Sequence, residues 1–325
     1  MGRHSYVPKH PLFSGTQEEI AFPVPLPRQQ RPPVDSALVH RPTADDVLPT
    51  GWQRLGDSRF QVSLRWRRER PRFAPVLALH SPLLIVESMR QSAILLSHTE
   101  YAVPLGQHFV MHEVHYTAYP EGLGIHVPPG EVTAEVTCSD VRGGRRITGM
   151  NCTFVFRRGG VVAARGEGRL GITSPAAYRR MRGERSDAVL PHQPAGVDPR
   201  LAGCRGPAEV LLALPAERGR WQLRVDPRHP ELRCSALDHF PGTMLVNACC
   251  QAARAATAPE ALYPRTMRLR FERYAEFSPA CWVEARPVPT SSTVLVAFVQ
   301  NGRSVLRAEL TMEPLRNAGR PGGLR

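Results

Sequence analysis

Midway along an apolar stretch, SPLLIVESMRQSAILLSH from Ser81, stands an acid, Glu87, with Arg90 and Gln91 three and four residues further on. In a helix those spacings share one face, so carboxylate, guanidinium and amide meet there. Burying a carboxylate alone costs on the order of several kcal/mol, so the group must be paired, protonated or opened to a cleft. Two chemistries follow. A carboxyl so placed suits general-base work on a substrate hydroxyl. It equally suits a structural ion pair with Arg90, whose planar fork either orients Glu87 or grips a phosphate.

A second apolar stretch, PGTMLVNACCQAARAAT from Pro241, carries Asn247, Cys250 and Gln251 at the matching positions. Asparagine accepts no proton at neutral pH, so the second stretch has lost a base; Asn247 is left as a hydrogen-bond donor to a carbonyl, or the copy has decayed. Arg254, one turn on, either restores a charge or lies at the surface. Gln91 and Gln251, if they do not meet substrate, hold neighbouring backbone. The first turn of each helix, that of Gly242 included, also offers N–H groups without intrahelical partners, which suit a substrate carbonyl. His80 and His239 precede the two helices and suit either a loop-anchoring hydrogen bond or proton transfer.

The elements that position these residues repeat. Phe60, Val62, Leu64 and Trp66 alternate before the first helix, as Trp221, Leu223 and Val225 do before the second, a displacement of about 160 residues. Each helix opens with a proline near its first turn, where the missing N–H costs nothing. Both are apolar nearly all round, so something wraps them. Alternation predicts strands at 109–119, 131–141, 145–157 and 161–172, then at 267–277, 281–288, 293–300 and 303–312, with Asn301-Gly302 as a hairpin turn. The reading gives a tail at 1–37, a domain at 38–172, a connection at 173–207, a second domain at 208–314 and a tail at 315–325.

Composition narrows the class. At 325 residues, 42% hydrophobic and 22% charged, the chain has length for two cores. The net charge is +13, with Lys9 the one lysine among 42 basic residues; codon usage explains part of it, and attraction of an anionic partner is the functional reading. The seven cysteines (Cys138, Cys152, Cys204, Cys234, Cys249, Cys250, Cys281) form no CxxC pair or zinc-type cluster and read as reduced and cytoplasmic. Cys249 and Cys250 lie in an apolar run as small hydrophobes. No apolar run approaches a membrane span, and no metal, nicotinamide or nucleic-acid motif is visible.

A strand pair, one buried helix and an antiparallel meander make an α+β hotdog domain, here in tandem as a pseudo-dimer within one chain. DHFPGTMLVNACCQAA (238–253) is similar to the helix start of hotdog β-hydroxyacyl-carrier-protein dehydratases and thioesterases. HSPLLIVESMRQSAILLSH (80–98) and VHRPTADDVLPTGW (39–52) resemble AfsA-type γ-butyrolactone synthases, which generally repeat Glu-x-x-Arg-Gln in both helices. The resemblance implies transfer of a β-ketoacyl group from acyl carrier protein, or coenzyme A, to the hydroxyl of dihydroxyacetone phosphate, with no cofactor. It gives Glu87 the base role, Arg90 the phosphate and helix N–H groups the oxyanion. Its rivals are a hotdog dehydratase, a thioesterase, and a non-catalytic acyl-binding regulator.

Overall fold

Wherever the sequence alternates, one face of the strand is buried: Phe60, Val62 and Leu64 are fully covered, as are Val294, Val296 and Phe298 in the other half. The computed structural model describes residues 33–66, 73, 76, 78–125, 131–144, 146–233 and 237–314. Lys9, Cys234, Arg145, the C-terminal tail and most of the N-terminal one lie outside the described residues.

The first half contains β1 (Pro49–Arg54), β2 (Arg59–Leu64), α1 (Pro82–Thr99), β3 (His108–Ala118), α2 (Pro120–Leu123), β4 (Val132–Arg142), β5 (Gly149–Arg158) and β6 (Val161–Thr173). Two short helices follow, α3 (Pro175–Arg182) and α4 (Pro199–Ala202). The second half continues with β7 (Leu212–Glu217), β8 (Arg220–Leu223), β9 (His239–Phe240) and α5 (Gly242–Thr257). It ends with β10 (Leu262–Phe271), β11 (Ala275–Glu276), β12 (Trp282–Pro287), β13 (Thr293–Gln300) and β14 (Arg303–Pro314).

Among the described residues, twelve strands form one antiparallel sheet in the order β1-β2-β4-β5-β6-β3-β10-β14-β13-β12-β8-β7. The order is a palindrome: read from either end, each strand meets its counterpart in the other copy. The copies join edge to edge through β3 and β10, with Tyr116 opposite Met267 and Val114 opposite Leu269. This pairing leaves neither joining strand as an open edge. Helices α1 and α5 are almost wholly buried against the sheet, which is the tandem hotdog that the element order predicts.

Several boundaries differ from expectation, each for a local reason. The strand expected over 267–277 ends at Phe271, because the N–H groups of Glu272 and Arg273 both turn to the Val305 carbonyl. The chain then pairs Ala275 and Glu276 with Phe240 and His239 in a separate two-stranded clamp. Pro241 sits at the N-cap of α5, so Gly242, not proline, is its first residue. The stretch 173–207 holds α3 and α4, and α4 is the counterpart of the helical turn Ser36–Val39: Asp198 caps one as Asp35 caps the other.

Candidate active site

Glu87 is completely buried on α1, and its carboxylate is held by donors from two elements. Arg41 donates from Nε at 2.8 Å and also from Nη2, Arg90 from Nε and Nη2 at 3.1 Å each, and Gln91 from Nε2 at 2.6 Å. The sequence reading missed Arg41. It lies inside the VHRPTADDVLPTGW string, and only the fold brings it to the helix. Two guanidiniums thus meet around one carboxylate. Both arginines line a cavity of about 1200 Å³, whereas Glu87 stands behind them and does not.

Gln91 spans from Glu87 to the main chain: its Nε2 donates to the Asp46 carbonyl at 2.9 Å, and its Oε1 accepts from Leu48 N–H at 2.8 Å. Gln251 makes the same pair of bonds in the second copy, to the Glu209 carbonyl at 2.9 Å and from Leu211 N–H at 2.8 Å. Both glutamines fasten the turn before the first strand of their domain.

The far side of the same cavity belongs to the second copy. His239 on β9 donates from Nδ1 to Asp238 Oδ1 at 2.5 Å, leaving Nε2 as the basic nitrogen, and its ring meets the Tyr274 ring edge-on. Asp238 accepts further bonds from Tyr178 Oη at 3.0 Å and Arg182 Nε at 2.8 Å, both from α3. Burial pushes the Asp238 carboxyl up, but the bonds from His239 and Arg182 outweigh it and hold the group well below the usual carboxylate range. Arg182 also forks onto both Glu276 oxygens at 2.8 Å, which ties α3 to β11. Helix α3 therefore locks the histidine in place, a role that nothing in its composition betrays.

Three residues beyond His239, Gly242 and Thr243 open α5 onto the cavity, and Pro241 supplies no side-chain cap for their N–H groups. A β-carbon on Gly242 would lie 2.3 Å from Met111 Cε, so any larger residue here needs the end of the Met111 side chain to move. Helix α1 begins differently: Ser81 Oγ accepts from Leu83 N–H, and Pro82 has no N–H. The two sides of the cavity are close. Phe109, packed on the His40 and His98 rings beside the arginines, and Met111, packed on Gly242, are alternate residues of β3, about 7 Å apart along the strand. Seven arginines and four glutamates line the cavity, and an apolar limb runs between Ala93, Ile94, Cys152, Phe154 and Leu170.

The A-factor biosynthesis hotdog domain matches residues 25–174. A 2-oxo-3-(phosphooxy)propyl 3-oxoalkanoate synthase from Streptomyces virginiae is 38% identical over 260 residues, 79% of this chain and 88% of that protein. Synthases of the same name from Streptomyces griseus and Streptomyces coelicolor are 39% and 38% identical, covering 86% and 90% of this chain and 95% and 93% of theirs. The chain belongs to the A-factor biosynthesis hotdog family.

Within this family fold, the residues singled out from sequence divide sharply. Arg90, His239 and Gly242 line the cavity, and Glu87 and Gln91 stand directly behind Arg90. His80 does not line it: it is 2% exposed, its ring lies against Trp66, and its carbonyl accepts from Tyr263 Oη. The helices superpose in sequence with a shift of 160, so His80 matches Phe240, and His239 matches Leu79. The two histidines are therefore not counterparts, and His80 is a core residue. Asn247, Gln251 and Arg254 also lie off the cavity lining; Arg254 reaches back to the Gly203 carbonyl at 3.5 Å. Among the described residues no group of three or more metal-ligating side chains occurs, and no helix is long and apolar enough to cross a membrane.

Proposed function

We propose that this protein transfers a 3-oxoacyl group from a thioester to the hydroxyl of dihydroxyacetone phosphate, forming the phosphorylated keto ester for which its relatives are named. One conjunction carries the reading: a pair of arginines and an open helix N-terminus, drawn from different copies, face each other across one cavity.

The roles follow from position. Arg41 and Arg90 bind the phosphate, each presenting a guanidinium whose partner carboxylate is already fixed. The acyl chain occupies the apolar limb, and the thioester carbonyl meets the N–H groups of Gly242 and Thr243, which stabilise the oxyanion. His239 Nε2 takes the proton from the attacking hydroxyl; the new ester C–O bond forms, the C–S bond breaks, and the proton leaves with the thiol. Asp238 fixes the tautomer. Glu87, expected from sequence to be the base, has its oxygens taken by Arg41, Arg90 and Gln91, and acts by positioning the arginines.

The excess of arginine at the cavity also suits an acidic acyl carrier protein as donor, with coenzyme A as the smaller substitute. We read the cysteines as reduced, which supports a cytoplasmic setting for the reaction. The test is to incubate the protein with a 3-oxoacyl thioester and dihydroxyacetone phosphate and look for the ester phosphate by mass spectrometry. Release of free 3-oxo acid alone would replace acyl transfer with hydrolysis.

A further inference from the structure

A histidine pair borders the arginine cluster and has no part in the chemistry above. His98, near the end of α1, places Nδ1 2.7 Å from the Val103 carbonyl, so that nitrogen carries hydrogen and donates. Its Nε2 is then the acceptor for His40 Nε2–H at 3.0 Å. The backbone carbonyl thereby fixes both rings: His40 keeps its Nδ1 unprotonated, on a ring that lines the cavity one residue from Arg41.

The backbone of His40 argues that this side chain is there for a purpose. It is left-handed, φ 51° and ψ 55°, a conformation that a non-glycine residue adopts only against steric strain. The counterpart in the second copy, at the end of α4, is Gly203, with φ 68° and ψ 29°, which adopts it freely. The counterpart of His98, one helix shift of 160 away, is Ala258. Where the second copy lacks the arginines, it lacks the histidines too.

We propose that His40 and His98 complete the phosphate site as a proton-accepting pair: binding of a phosphomonoester dianion between Arg41 and Arg90 draws one proton from solvent onto His40 Nδ1. The resulting Nδ1–H donates to a phosphate oxygen while Nε2–H stays on His98, giving the dianion a third cationic donor. Before binding, burial together with His98, Arg90, His108 and Arg41 lowers the His40 pKa to about 4, so the ring is neutral. Among the described residues, those arginines, His98 on α1 and His108 on β3 are the charged and titratable groups facing it, and a dianion seated among them reverses the sign of the local field.

This inference rests on the phosphate reading of the arginines, and one experiment separates the two. Dihydroxyacetone phosphate is titrated into the full chain by calorimetry at about pH 8, where a phosphomonoester with a second pKa of about 6 is already dianionic. Buffers of low and high ionisation enthalpy are compared. Expected is net uptake of a measurable fraction of a proton per bound ligand. His40→Gly, which installs the residue that the second copy uses and relieves the strained backbone, should bind about tenfold more weakly or worse and take up none. Absence of binding to the wild-type chain would sink the phosphate reading itself. Binding without proton uptake, or unchanged uptake in His40→Gly, would overturn the histidine pair alone.

Discussion

The two copies offer two places where a mid-helix cluster of one copy could face the helix start of the other, and only one of them is equipped. At the first, α1 contributes Glu87 and Arg90, with Arg41, His40 and His98 around them, and the second copy contributes Asp238, His239 and Gly242. The mirrored positions hold Asn247 and Cys250, with Cys204, Gly203 and Ala258, and then Ala78, Leu79 and Pro82. What both copies keep is different in kind: an aspartate capping the first helical turn, a leucine after the second, and a glutamine bonding its N–H. The chain is thus its own control. Of these features, those present twice build the fold, and those present once gather around the cavity.

The sharpest way to break this contrast is to convert the first cluster into the second. Glu87→Gln alone should abolish ester formation and destabilise the protein by about 3–5 kcal/mol in urea denaturation, because it leaves two guanidiniums close-packed without their counter-charge. Arg41→Cys, Glu87→Asn and Arg90→Cys combined should abolish activity yet unfold at a urea concentration nearer the wild type, since the whole charge network leaves together. A triple variant less stable than Glu87→Gln would show that the cluster holds the fold.

The other half is probed at the clamp. His239→Ala should lower kcat by about 10²–10⁴-fold, while Asp238→Asn, which releases the tautomer, falls between it and the wild type. Added imidazole restoring part of the His239→Ala rate would mark a lost proton acceptor. A variant with the wild-type rate would return the base role to another group.

A smaller effect appears in stability against pH. The folded His40 pKa, about 4, lies below its ordinary value of 6.5, so the unfolded chain binds the extra proton between them. Stability contributed by this site is present above about pH 6.5 and lost as pH falls towards 4. Burial also lowers His108, His112 and His115, which add to the same slope. Urea midpoints at pH 7 and pH 5 should differ less in His40→Gly than in the wild type; an equal difference would remove His40 from the account. The smallest effect is expected at the unequipped place: Cys204→Ala and Cys250→Ala should each leave kcat/KM within about twofold, as truncations away from any functional contact do. A tenfold loss in either would mean that both places work.

Much of this is legible in the sequence alone. Period-two alternation located most strands, the apolar helices announced that a sheet surrounds them, and their spacing exposed the repeat. Glu87 and Arg90 stood out because charge in an apolar helix demands an explanation. What the chain order hid was contact across long separations. Arg41 reaches Glu87 over 46 residues and His40 reaches His98 over 58, and neither helical nor strand periodicity reports such pairs. His80 misled because a histidine just before a helix looks the same whether it faces a cavity or a tryptophan. Helix α3 fell in a Pro- and Arg-rich stretch read as connection, although Arg182 within it is 4% exposed and bound to two acids.

The seam between β3 and β10 has one more consequence. Were the halves separate, identical subunits, every substitution would strike both active centres at once, and a decayed centre could never sit beside an intact one. Covalent fusion frees each half to drift on its own. If the proposed site is the one that works, one acceptor molecule binds per polypeptide, not two, and saturation at half an equivalent per hotdog unit is the expected outcome of a binding titration.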